Sequence, residues 1–175
     1  MVTENIIKQA RAGDKLAFQA LYEDIKTDMY RMAFYLLQNK EDAEDAVSEA
    51  FIDMYRGIHN LKECGAYKAW AIKILSAKCK RKMKEHYEHN GDYSELVEDA
   101  YLCNQDDIGQ ANMRTDIMKA MDVLSEKERM IVVCTAVAGM SSDEVGSITG
   151  FPSATVRTKL RRALAKLKKK LEVGT

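Results

Sequence analysis

The chain has 175 residues, 46% apolar and 31% charged, and its 27 Lys and Arg balance 27 Asp and Glu for a formal net charge of zero. That length predicts one or two small domains with enough apolar content for a core, and the composition excludes wholesale disorder. One Pro and nine Gly are too few for a loop-rich β architecture, whereas ten Met among abundant Ala, Leu, Lys and Glu favour an all-α class.

No apolar run approaches the roughly 18 residues that span a bilayer, and Met1 to Arg11 is polar with no signal-peptide block. The expectation is a cytoplasmic protein without membrane insertion. Cys64, Cys79, Cys103 and Cys134 lie far apart with no C-x-x-C pair, which reads first as reduced thiols, with a zinc or disulfide role as the alternative. His59, His86 and His89 form no metal-protease spacing, and no phosphate-binding glycine loop or nucleophile elbow occurs. No catalytic residue, metal or cofactor is expected, and hence no enzyme.

In chain order, Phe18, Leu21, Tyr22, Ile25, Met29, Met32 and Leu36 fall at helical spacing and predict a helix from about Asp14 to Leu37, broken at Asn39. Ala43, Ala46, Val47, Ala50, Phe51 and Met54 define a second helix, whose first turn carries carboxylates suited to the helix dipole. Gly57 to Gly65 reads as a loop. A third helix, from about Ala66 to Glu85, places Tyr67, Trp70, Ala71, Ile74 and Leu75 on its apolar face. From about 89 to 110 the pattern lapses into an acidic linker, with a possible helical turn over Leu96 to Leu102.

Order is predicted to return near Met113. Ser125-x-x-Glu128 and Ser141-x-x-Glu144 are capping-box signatures, each opening a helix. Gly139 ends the first of these, Gly150 supplies a turn, and Pro152-Ser153 opens a last helix with the apolar line Val156, Leu160, Ala163, Leu164, Leu167 and Leu171. A short helix, a glycine turn and a long basic helix predict a helix-turn-helix. The domain expectation is therefore 1–88, a linker over 89–110, and 111–175.

The neutral total conceals alternating blocks. Residues 1–60 carry a net −4, 61–90 +5, 91–128 −7 and 129–175 +6. A groove senses potential over a screening length of about 8–10 Å, so local blocks matter more than the sum. On the last helix Arg157, Thr158, Arg161 and Arg162 face away from the apolar line, where guanidinium groups meet guanine edges or phosphates. Lys73 and Lys80 share a line on the third helix, beside His59, Asn60, Lys62 and Tyr67; cations beside polar and aromatic groups suit unstacked single strands. Trp70 reads first as a core residue and the loop residues first as contacts. On the second helix Asp42, Asp45, Glu49 and Asp53 form a stripe that runs beyond the reach of the dipole, as an exposed protein-binding face would.

These segments together resemble a known family. Asp42 to Arg56 is similar to the polymerase-binding helix of bacterial extracytoplasmic-function (ECF) sigma factors, within the sigma-70 family. Trp70-Ala-Ile-Lys-Ile74 resembles their W-L-x-R-I signature, and Leu124 to Arg129, Gly139 to Val145 and Ala154 to Ala163 resemble their C-terminal helix-turn-helix. Ile72, Ala77 and Cys64 depart from the family's usual residues. The resemblance implies a sigma-two and a sigma-four domain on a flexible linker, and a transcription-initiation role without catalysis. Asp42, Asp45, Ser48, Glu49, Phe51 and Asp53 would belong to the helix that binds the β′ clamp helices of core RNA polymerase, with Phe51 packing. His59, Asn60, Lys62, Tyr67, Trp70, Lys73 and Lys80 would meet a captured base and the strand of the −10 promoter element. Ser153, Thr155, Arg157, Thr158, Arg161 and Arg162 would read the −35 element, with the β flap nearby. An anti-sigma protein is an implied partner. The alternatives are a stand-alone helix-turn-helix regulator of duplex DNA and a helical adaptor using the acidic stripe.

Overall fold

The computed structural model describes residues 2–90 and 116–173, and it is helical throughout these segments apart from turns. The first helix, α1 (Glu4–Arg11), was not expected from the sequence. Thr3 caps it by accepting from the Ile6 N–H, and Ile7 and Ala10 are its buried residues. Helix α2 (Lys15–Leu37) starts where the Asp14 carboxylate accepts from the N–H groups of Leu16 and Ala17, at 2.8 and 3.1 Å. It stops at Gln38, whose φ of 52° lies in the left-handed region. Asn39 then does more than interrupt the pattern: its side chain caps α3 (Lys40–Gly57) by accepting from Asp42 N–H at 3.0 Å.

The expected Gly57–Gly65 loop contains two short 3₁₀ turns, Ile58–Asn60 and Cys64–Ala66. Helix α4 (Tyr67–Asn90) follows and runs longer than predicted. The linker over 89–110 and the turn at Leu96 to Leu102 lie almost wholly outside the described residues. Helix α5 is described over 116–121, followed by α6 (Glu126–Ala136), α7 (Ser142–Thr149) and α8 (Ser153–Val173). Both predicted capping boxes are formed, by Ser125 with Glu128 and by Ser141 with Glu144.

Helix α2 lies at the centre of the N-terminal half. Leu21, Ile25, Met29, Met32 and Leu36 are inaccessible along one line. Ala43, Ala46 and Ala50 of α3 and Ala71 of α4 are also fully buried, and these small side chains let the two helices pack close to α2. Each fully buried Leu, Ile or Met contributes about 1.5–3 kcal/mol by area, so truncation of Leu21 to Ala costs about 2–5 kcal/mol.

The two halves share a continuous core that includes Met121, Leu124, Ile131 and Val133. Polar contacts stitch the same seam. The Gln38 amide donates to the Met118 carbonyl at 3.2 Å and to Asp122 Oδ1 at 3.1 Å. Buried Arg129 donates to the carbonyls of Leu36 at 3.5 Å and Met121 at 3.4 Å.

Candidate nucleic-acid interface

The geometry of α7 and α8 follows from two glycines. Gly150 ends α7 with φ 77°, a conformation that costs a residue with a Cβ energy. Gly146 faces the turn itself: a Cβ built on it would stand 2.6 Å from the Phe151 carbonyl oxygen. Val145, Ile148, Val156 and Ala163 are buried between the two helices and α6. Arg157, Arg161 and Arg162 stand on the opposite, exposed face of α8 and have no hydrogen-bond or ion-pair partner among the described residues. Exposed Thr158 donates to the Ala154 carbonyl at 3.1 Å, while Ser153 and Thr155 are half-buried at the start of the helix. Leu164 and Leu171, expected on the apolar line, are 47% and 41% exposed, so burial fades along the second half of α8.

The loop and α4 form a second surface. His59, Asn60, Lys62 and Lys73 are exposed. Tyr67 is not available for contact as expected: it is 3% exposed, and its hydroxyl donates to the Leu21 carbonyl. It pins the start of α4 onto α2, and burial, reinforced by the Asp24 charge, pushes its phenol well above the ordinary range. Trp70 is half-buried, with its ring 3.5 Å from where a Cβ on Gly57 would lie. Lys80 is exposed, but its ammonium is tethered to α7 by a bond donated to the Ile148 carbonyl. Burial also pushes the thiols of Cys79 and Cys134 up to about 12, so both stay protonated and unreactive.

The acidic stripe of α3 is not simply an exposed face. Lys82 of α4 lies 3.5 Å from Asp42 and 3.4 Å from Asp45. Lys78 pairs with Asp53 and lies 3.9 Å from Glu49, which also accepts from Arg81. The stripe is thereby tied to α4 along one flank. Phe51 packs with its ring centroid 5.3 Å from that of Phe18 and 4.3 Å from that of Tyr22. The outward side of α3 holds exposed Asp45 and Ser48 together with Ile52 and Tyr55, each 47% exposed. Sequence reasoning missed these last two, although the spacing 45, 48, 52, 55 repeats the helical period on the solvent side.

Among the described residues no group of three His, Cys, Asp or Glu could hold a metal ion, and no helix is long and apolar enough to cross a membrane.

A basic helix behind a glycine turn, with exposed arginines partnerless among the described residues, joined to a helical body with an exposed polar loop, marks the class as a two-part helical DNA-reading protein. Residues 21–89 match the family model for sigma-70 region 2, and residues 114–167 match that for sigma-70 region 4. The chain is 28% identical to the ECF RNA polymerase sigma factor SigW of Bacillus subtilis, covering 98% of this chain and 97% of that protein. It is 26% identical to the ECF sigma factor SigM of Mycobacterium tuberculosis, covering 89% and 78%. The sigma factor RpoE of Bartonella quintana, solved in complex with the anti-sigma factor NepR, shares the fold with a TM-score of 0.76 at 20% identity, covering 90% of this chain and 98% of that one. The chain belongs to the sigma-70 family, in its ECF group.

Proposed function

We propose that this chain is the promoter-recognition subunit of a bacterial RNA polymerase: it joins the core enzyme and directs initiation at promoters whose −10 and −35 elements it reads. The observation that carries the reading is the presence of both sigma regions, in order, on one chain, each with its own candidate surface. The polymerase supplies the chemistry, and this chain supplies binding and base selection from a position in the cytoplasm.

The outward face of α3 is the proposed seat of the β′ clamp helices. Asp45 and Ser48 offer polar contacts and Ile52 and Tyr55 an apolar centre, while the pairs with Lys78, Arg81 and Lys82 hold the helix against α4. Exposed His59, Asn60 and Lys62 take the −10 strand, with Lys73 on its backbone. Unstacking a base costs a few kcal/mol, which stacking at about 1–3 kcal/mol per base and phosphate contacts offset. Arg157, Arg161 and Arg162 read the −35 duplex, an assignment supported by their exposure and lack of internal partners. An anti-sigma protein is the proposed inhibitor.

A stand-alone regulator of duplex DNA would leave the exposed Ile52 without a role. Sequencing the 5′ ends of transcripts made by the holoenzyme tests the assignment. Start sites sharing two spaced elements support it, and starts matching those of core enzyme alone contradict it.

A further inference from the structure

A groove of about 670 Å³ opens between α1 and the segment 62–68, within the ~300–1,000 Å³ range of ligand clefts. One wall is the loop proposed to meet the −10 strand, represented by Lys62 and Cys64. The other is α1, which the sequence reading did not anticipate, held in place by buried Ile7 and Ala10.

Most charges in this groove already have partners. Lys8 pairs with Glu4 at 2.9 Å, and Lys68 with Asp24 at 3.4 Å. Arg11, the last residue of α1, differs: its side chain has no partner among the described residues, and its Nε is buried without a hydrogen bond. A guanidinium carries five donors and no acceptor, and a buried donor left unmade is costly, so the arrangement favours a ligand that brings acceptors to it.

We infer that Arg11 is a specificity residue for the single strand, donating from the inner part of this groove to the acceptor edge of a captured nucleobase. The inference rests on the proposed −10 role of the loop. The groove's own carboxylates favour a base over a phosphate: Glu4, Asp24 and Glu63 line it beside the four cations. The two signs nearly balance, which leaves little net charge to hold a phosphate, whereas a base edge is polar and neutral. The planar guanidinium fork matches two adjacent acceptors, such as guanine O6 and N7, better than a lysine does.

The test uses holoenzyme carrying Arg11→Ala or Arg11→Lys on promoters randomised across the −10 non-template strand, with melting curves of each variant. The expected result is loss of preference at one position, on the order of ten-fold, with the ranking at other positions kept and the salt dependence unchanged. Arg11→Lys keeps the charge but not the fork, and shows the same local loss even if Arg11→Ala fails to fold. A uniform drop on all sequences with a shallower salt slope marks a phosphate contact and overturns the inference. An unchanged preference profile in Arg11→Lys overturns it as well. Wild-type holoenzyme that opens no library member overturns the −10 reading itself, and the inference with it.

Discussion

The ammonium of Lys80, on α4, donates to the carbonyl of Ile148, next to last in α7. Carbonyls in the last turn of a helix lack intrahelical partners and sit at the negative end of its dipole, so a cation there is favourable. The bond crosses the seam between the two sigma regions and engages a residue that the sequence alone placed beside the −10 strand. One of the three ammonium donors is thereby committed to protein, which fixes where the other two can reach. Lys80→Ala is expected to lower the stability of the free protein by about 0.3–1 kcal/mol. A urea titration checks it, and an unchanged midpoint would mean that the bond contributes nothing in solution.

Gly146 leaves no room for a methyl group. Gly146→Ala would place a Cβ 2.6 Å from a backbone oxygen, not from a side chain that could swing away. The turn between α7 and α8 must shift, at about 1–3 kcal/mol by analogy with overpacked cores. Thermal denaturation measures the cost. Promoter selection at the −35 element is expected to weaken in the same variant, because the turn sets the angle of α8.

Ile52 and Phe51 are adjacent in sequence but predict opposite outcomes. Ile52 is 47% exposed, so Ile52→Ala is expected to change stability by less than about 0.5 kcal/mol while weakening capture of core polymerase. Phe51 packs on Phe18 and Tyr22, and Phe51→Ala is expected to destabilise the fold first. Pull-down of core enzyme alongside melting curves separates the two effects.

Tyr67 links stability to alkaline pH. Its folded-state pKa is raised, by burial first and by Asp24 second, so its neutral phenol contributes stability that is present below the ordinary value near 10 and lost as pH rises beyond it. Cys79 and Cys134, pushed up to about 12, act in the same direction from an ordinary value of about 8.5. Melting temperature is thus expected to fall from about pH 9 upward. Tyr67→Phe removes the hydroxyl bond to Leu21, costs about 1–3 kcal/mol at neutral pH, and removes the tyrosine part of the alkaline loss. A pH series on both proteins measures the difference.

Local chemistry made much of the fold legible. Asp14, Ser125 and Ser141 cap the helices their positions announced, and Gly150 turns where the pattern placed it. Helix α1 escaped notice because eight residues with few apolar positions, chiefly Ile6, Ile7 and Ala10, are too short for periodicity to stand out. The lysine partners of Asp42 and Asp53 come from α4, and the acceptors of Tyr67 and Lys80 come from α2 and α7. Such pairings arise only once helices pack, so a residue's spacing on its own helix does not tell a free cation from a committed one. Arg157 and Arg161 were legible because no packed element reaches their face of α8.

The most direct test of the central claim is run-off transcription with core RNA polymerase on a promoter library, comparing the wild-type chain with an Arg157→Ala/Arg161→Ala variant. Promoter-specific transcripts are expected only when the chain is added. The variant is expected to keep its stability and lose −35 selectivity, at about 1–3 kcal/mol for each bidentate contact removed. Absence of stimulation by the wild-type chain at every promoter in the library would contradict the account.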